Sequence, residues 1–207
     1  MGKDCCAQET APVDAGFRVV LCIALGVNLA MFLIEVVAGV VAGSVSLLAD
    51  ALDFFGDAAN YGISLIVLGM ALQWRARAAL IKGLSMGLFG LWVIGTAVGH
   101  AFGGSIPEAA TMGAVGFLAL AANVGVAMLL FQYRGGESNM RSVWLCSRND
   151  AIGNVAVILA ATGVFATGTR WPDLLVAVIM ASLALTAAAQ VVRQSFGEMK
   201  AISMGAT

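Results

Sequence analysis

Histidine is almost missing from this chain, with one in 207 residues, and charge is scarce: Asp, Glu, Lys and Arg together make up 11%. The net charge of −1 leaves no basic surface for nucleic acid, so no nucleic-acid partner is expected. The four cysteines, Cys5, Cys6, Cys22 and Cys146, have neither zinc-finger spacing nor the pattern of a secreted disulfide framework. What fills the chain instead is apolar: 60% of residues are hydrophobic and the mean hydropathy is +0.94. A soluble chain has no need of such a composition. It suits an all-α, multi-pass membrane protein, most of it span and little of it loop.

Six apolar segments can be read, with approximate limits 17–42, 46–73, 79–102, 108–132, 142–167 and 172–193. Their breaks are Gly43-Ser44, Trp74–Arg77, Gly103–Pro107, Arg134–Asn139 and Gly168–Pro172. Lys3, Arg18, Arg75, Arg77, Lys82, Arg134, Arg141, Arg193 and Lys200 all fall on the side that holds both termini, and only Arg170 falls opposite. The positive-inside rule then predicts six transmembrane helices with both termini cytoplasmic. The expected division is a cytoplasmic tail over 1–16, a six-helix transmembrane domain over 17–195 and a short, frayed cytoplasmic tail over 196–207. No soluble domain is expected. The first run is longer than a cleaved signal peptide needs.

The second segment is the unusual one. Asp50, Asp53 and Asp57 fall within eight residues of each other in a stretch otherwise apolar enough to span. A charge at the bilayer centre costs at least ~2.5–3.5 kcal/mol, so three in one span call for a reason. On a helix Asp53 and Asp57 are about 40° apart around the axis and about 6 Å along it, within reach of one cation. The fifth segment repeats the spacing with Cys146 and Asp150. Two helices facing each other with such pairs can supply four ligands, enough for a tetrahedral divalent ion. The plain alternative is that buried polar groups only bond across a bundle, which suits Asn28, Asn60, Asn123 and Asn154. It suits two acidic pairs poorly, although Arg148 could neutralise one acid.

Outer partners of the ligand set would be Asp50, which could also carry a proton, with Asn60, Asn149, Asn154 and Glu35. Glu35 lies seven residues after Asn28 and so on the same helical face. His100 reads as an interfacial residue and Asp173 as a helix N-terminal one. Cys5 and Cys6 read as incidental. Paired membrane aspartates also occur where water is activated for proteolysis, but the chain has only Gly56-Asp57 and no Gly-x-Gly-Asp. No catalytic residue and no cofactor is expected.

With those residues in view, the chain resembles the membrane domain of the cation diffusion facilitator family. The matching stretches are Asn28 to Glu35, Gly43-Ser44-Val45-Ser46-Leu47-Leu48-Ala49-Asp50-Ala51-Leu52-Asp53 through Asp57, Ser138 to Val155, and Trp171-Pro172-Asp173-Leu174. The resemblance covers about residues 17–195. It implies six helices, homodimers, and export of a divalent metal from the cytoplasm in exchange for protons, as in a bacterial inner membrane. It also implies a four-ligand site on Asp53, Asp57, Cys146 and Asp150. Two departures stand out: Cys146 replaces the family's usual His, and the usual cytoplasmic C-terminal domain is not expected here. A thiolate favours Zn²⁺ or Cd²⁺ over Mn²⁺ or Mg²⁺. The competing expectation is an assembly or regulatory subunit that kept the fold without transporting.

Overall fold

The computed structural model describes residues 15–67, 72–132 and 138–203; over 138–149, and at a few other positions, it describes the helix but not the side chains. Six helices follow in order: α1 (Ala15–Ala42), α2 (Val45–Val67), α3 (Leu72–Gly103), α4 (Ala109–Phe131), α5 (Ser138–Thr167) and α6 (Trp171–Ser203). No strand occurs among the described residues. Helix is what such a sequence must form in lipid, where each backbone N–H and C=O has to be satisfied within its own segment.

Among the described residues five helices, all but α2, are long and apolar enough to cross a membrane. At most a third of the residues in each such span are buried inside the protein. The outward faces carry Val37, Leu88, Phe117 and Leu183, all exposed, as a lipid-facing surface requires. The sixth helix, α2, carries Asp50, Asp53 and Asp57 and is buried instead. Helix limits differ from the expected ones chiefly at α3 and α6. The former begins at Leu72, before the Trp74–Arg77 break, and the latter runs to Ser203, through the stretch expected to fray. Arg and Lys are good helix formers, so a cluster of them marks the membrane edge without ending the helix.

Two glycines make the tight turns. Gly43 (φ 66°) joins α1 to α2 and Gly168 (φ 60°) ends α5, both in the left-handed region where a Cβ is strained. The start of α2 is capped from another helix. Asp173, in the first turn of α6, accepts from Val45 N through Oδ2 (2.9 Å), and from Ser46 N (3.0 Å) and Ser44 Oγ (2.7 Å) through Oδ1. Ser44 Oγ accepts from Leu47 N at 3.2 Å. Orphan donors of α2 are thus satisfied where the helix dipole favours a negative charge. Asp173, expected to serve its own helix, serves α2 as well. The Arg170 guanidinium donates to the Gly104 carbonyl at the end of α3.

Small residues bring neighbouring helices close. A Cβ on Gly83 would stand 2.9 Å from Val192, and one on Gly90 3.0 Å from Leu185, so α3 and α6 lie against each other. Gly39 meets Leu48 of α2 in the same way, and Gly116 of α4 meets Val157 and Ile158 of α5.

The largest core cluster lies at the Gly43 end. It joins Val45, Leu47 and Leu48 of α2 to Val93 (α3), Met112 (α4), Val157 (α5) and Leu174 (α6). At the other end, among the described residues, a smaller cluster joins α1, α2 and α4, through Phe17, Leu21, Tyr61 and Leu130.

Candidate metal centre

Helix α2 changes character along its length. Every residue from Val45 to Leu52 is buried, then accessible surface returns at Asp53, Phe55, Ala59, Asn60, Gly62 and Ile63. Asp53 and Asp57 therefore stand at the boundary between a sealed half and a looser one. Asp57 is mostly buried and accepts a hydrogen bond from Tyr61 Oη through Oδ2 at 2.8 Å. Asp53 is half-buried and sits close enough to Asp50 and Asp57 for their charges to act on it.

Across from them, α5 brings up Asp150. Its carboxyl lies within hydrogen-bonding reach of the Asp57 carboxyl, and within electrostatic reach of Asp53. Its Oδ2 is buried without a donor. Backbone periodicity places Cys146 one turn before Asp150 on the same helix. The side chains of Cys146, Arg148 and Asn149 lie outside the described residues. Among the described residues no three His, Cys, Asp or Glu side chains converge tightly enough to hold a metal ion. The structure thus brings Asp57 and Asp150 together with Asp53 beside them. Carboxylates facing each other between two helices, one Asp150 oxygen among them lacking a donor, form a hard-to-intermediate donor set that a divalent cation would satisfy.

The outer partners separate into two groups. Asn154, one turn beyond Asp150, donates from Nδ2 to Asp50 Oδ2 at 2.6 Å and accepts from Asn123 Nδ2 at 2.9 Å. This chain links α4, α5 and α2 in the sealed half. Asp50 also faces Glu35 of α1, their carboxyls within hydrogen-bonding reach of each other. Asn60 goes elsewhere: it accepts from the Lys82 ammonium of α3. Asn28, by contrast, stays within its own helix. Its Nδ2 donates to Ala24 O of its own helix at 2.8 Å, and its Oδ1 is buried without a partner. Of the four asparagines expected to bond between helices, Asn123, Asn154 and Asn60 do so, and Asn28 does not.

Two residues here were not anticipated from the sequence. Tyr61 holds Asp57, and Lys82 is near enough to act on Asp57 electrostatically. Tyr61 had a legible signal, four residues after Asp57 and so on its face. Lys82 had none, because pairing of α3 with α2 at that height is not encoded in spacing.

The cation efflux transmembrane domain family matches residues 21–199. A cadmium, cobalt and zinc/H(+)-K(+) antiporter of Bacillus velezensis is 28% identical over 181 residues, 79% of this chain and 56% of that protein. Its counterpart in Bacillus subtilis is 28% identical over 181 residues, with 79% and 57% covered. The zinc transporter ZitB of Escherichia coli is 26% identical over 191 residues, 85% of this chain and 60% of that protein. The chain thus spans somewhat more than half the length of these curated relatives.

Proposed function

We propose, from the premise that this chain belongs to the cation efflux family, that it exports a divalent transition or heavy metal ion such as Zn²⁺ or Cd²⁺ in exchange for protons. It is a multi-pass membrane protein of a transporter family, and no catalytic role is assigned to any residue. The finer reading is a six-span bundle over 17–195, with both termini cytoplasmic, acting as a homodimer in a bacterial inner membrane. Asp53, Asp57, Cys146 and Asp150 would hold the ion.

The observation that carries this reading is the position of the acids. Asp57 and Asp150 meet across α2 and α5, with an Asp150 oxygen lacking any donor, at the level where α2 passes from sealed to accessible. A binding site at the midplane between facing helices, closed on one side, is what alternating access requires. The closed side is the Gly43 end, where five helices share one core. With that end facing outward, the site here opens toward the cytoplasm.

Three carboxylates and a thiolate carry more negative charge than one divalent ion neutralises. Protons therefore hold the site in the absence of metal, and loading displaces them. Names of the Bacillus relatives include protons and potassium as counter-ions, which supports exchange of this kind.

Purified protein in proteoliposomes with a pH-sensitive dye inside tests the reading. Zn²⁺ or Cd²⁺ entry is expected to move protons the opposite way, and Asp57→Asn to abolish both fluxes in a folded protein. Absence of transport for any divalent ion would overturn the proposal. Binding without flux would move the protein to the assembly-subunit class.

A further inference from the structure

Glu35 is the most unusual buried side chain in the molecule. It is 0% exposed, and with neighbouring acids ionised neither of its carboxylate oxygens meets a donor. Isolating a charged group in this way is costly unless something positive accompanies it. We propose that Glu35 of α1 and Asp50 of α2 form a second site for a single positive charge, one proton shared between their carboxyls, separate from the quartet on α2 and α5.

The surroundings select a proton over other cations. The charged groups acting on Glu35 are Asp50 and Asp53, both acidic and both from α2. On α4, which also packs on α1, no residue from Ala109 to Phe131 is ionisable. Among its described side chains, α5 contributes the neutral amide of Asn154, at 2.6 Å from Asp50 Oδ2. Among the described residues no basic side chain acts on Glu35 or Asp50. Lys82 acts on Asp57 and bonds to Asn60, toward the other end of α2. A divalent ion asks for four or more ligands, and no three acidic, His or Cys side chains converge here among the described residues. Two carboxyls within hydrogen-bonding reach suit a shared proton, which turns their repulsion into a short charge-assisted bond.

The location gives the site a function. Asp50 lies one turn from Asp53 toward the sealed end, and Asn154 one turn from Asp150, so their bond exists only while α5 is docked on α2. Parting of these helices admits water, whose hydrogen bonds replace the lost Asn154 donor and solvate the carboxylates. The O–H bond of the acid then breaks, its electron pair stays on the carboxylate, and the proton passes to water. Proton release here follows the α2–α5 contact, whereas release at the quartet follows metal binding. This step rests on the transporter reading; occupancy of the site by a proton does not.

Infrared spectra of purified, metal-free protein test the occupancy. Wild type is expected to show a protonated-carboxyl C=O band, shifted in D₂O, that is weaker in Glu35→Gln and in Asp50→Asn. Either variant serves if the other misfolds. The exchanged pair Glu35→Asp with Asp50→Glu should restore the band. Full band intensity in both single variants overturns the proposal, even if transport itself is absent. In proteoliposomes Glu35→Gln should move fewer protons per metal carried than wild type does. An unchanged ratio overturns the coupling. A wild-type flux that follows K⁺ and ignores pH overturns the choice of proton.

Discussion

At the scale of single residues, Tyr61 and Cys146 are the positions at which the proposed site is tested most directly. The Tyr61 hydroxyl fixes Asp57 Oδ2 at 2.8 Å. Tyr61→Phe removes that bond at constant shape, a loss of about 1 kcal/mol, which corresponds to roughly fivefold weaker metal binding by calorimetry. A larger effect on folding than on affinity would assign Tyr61 to the core cluster alone. For Cys146 the prediction is a pH slope. Between about pH 6.5 and 8.5 a free thiol holds a proton that a free imidazole has lost. Metal binding to wild type must release that proton, so affinity should rise more steeply with pH in this window than in Cys146→His. Cys146→Ser should lose Cd²⁺ affinity far more than Mn²⁺ affinity. Identical slopes and metal rankings in all three proteins would remove Cys146 from the ligand set.

Much at this scale was legible beforehand, for a physical reason. Carboxylates inside a span are so costly that Asp50, Asp53, Asp57 and Asp150 announce themselves, and i, i+4 spacing says which share a face. Amides are cheap and carry no such signal. Asn154 found a partner across the bundle, Asn28 turned back on its own helix, and Asn60 went to Lys82. Which of these an asparagine does depends on helix heights and rotations that one sequence does not encode.

Among the elements, α2 depends most on its neighbours, because its first turn is capped by a carboxylate from α6. Asp173→Ala would strand Val45 N and Ser46 N together with the Ser44 hydroxyl. Each buried donor left unmade costs about 1–3 kcal/mol. Thermal unfolding in detergent, followed by tryptophan fluorescence, should show a lowered midpoint for Asp173→Ala and a smaller drop for Asp173→Asn, which keeps one acceptor. Metal affinity of the folded fraction should stay unchanged, since the cap lies at the far end of the sealed half. Equal midpoints for wild type and Asp173→Ala would show that water or rotation of Ser44 replaces the cap. The six helices were legible from hydropathy, while their pairing was not. Gly83 and Gly90 seat α3 on α6, yet 25 glycines are spread through the chain and most look alike in sequence.

For the whole molecule, orientation is the property to measure. Single cysteines placed at Arg77 and Ser203 should react with an impermeant thiol reagent only from the cytoplasmic side, and those at Gly104 and Thr169 only from outside. Cytoplasmic labelling of Gly104 would overturn the assigned topology. The expectation rests on charge, since nine of the eleven basic residues fall on one side of the predicted spans.

The two ties at the Gly43 end have a mechanical consequence. Asp173 pins α2 to α6, and Arg170 pins the end of α3 to the α6 side of the bundle. Helices fastened at one end behave as levers about that fulcrum. With 33 residues, α6 is about 50 Å long, so a 5° tilt about its pinned end sweeps the other end through about 4 Å. Travel is therefore largest at the unpinned ends of α2, α3 and α6 and smallest where the turns are tied. A small rotation near Asp173 is geared up into a passage wide enough for an ion at the opposite face.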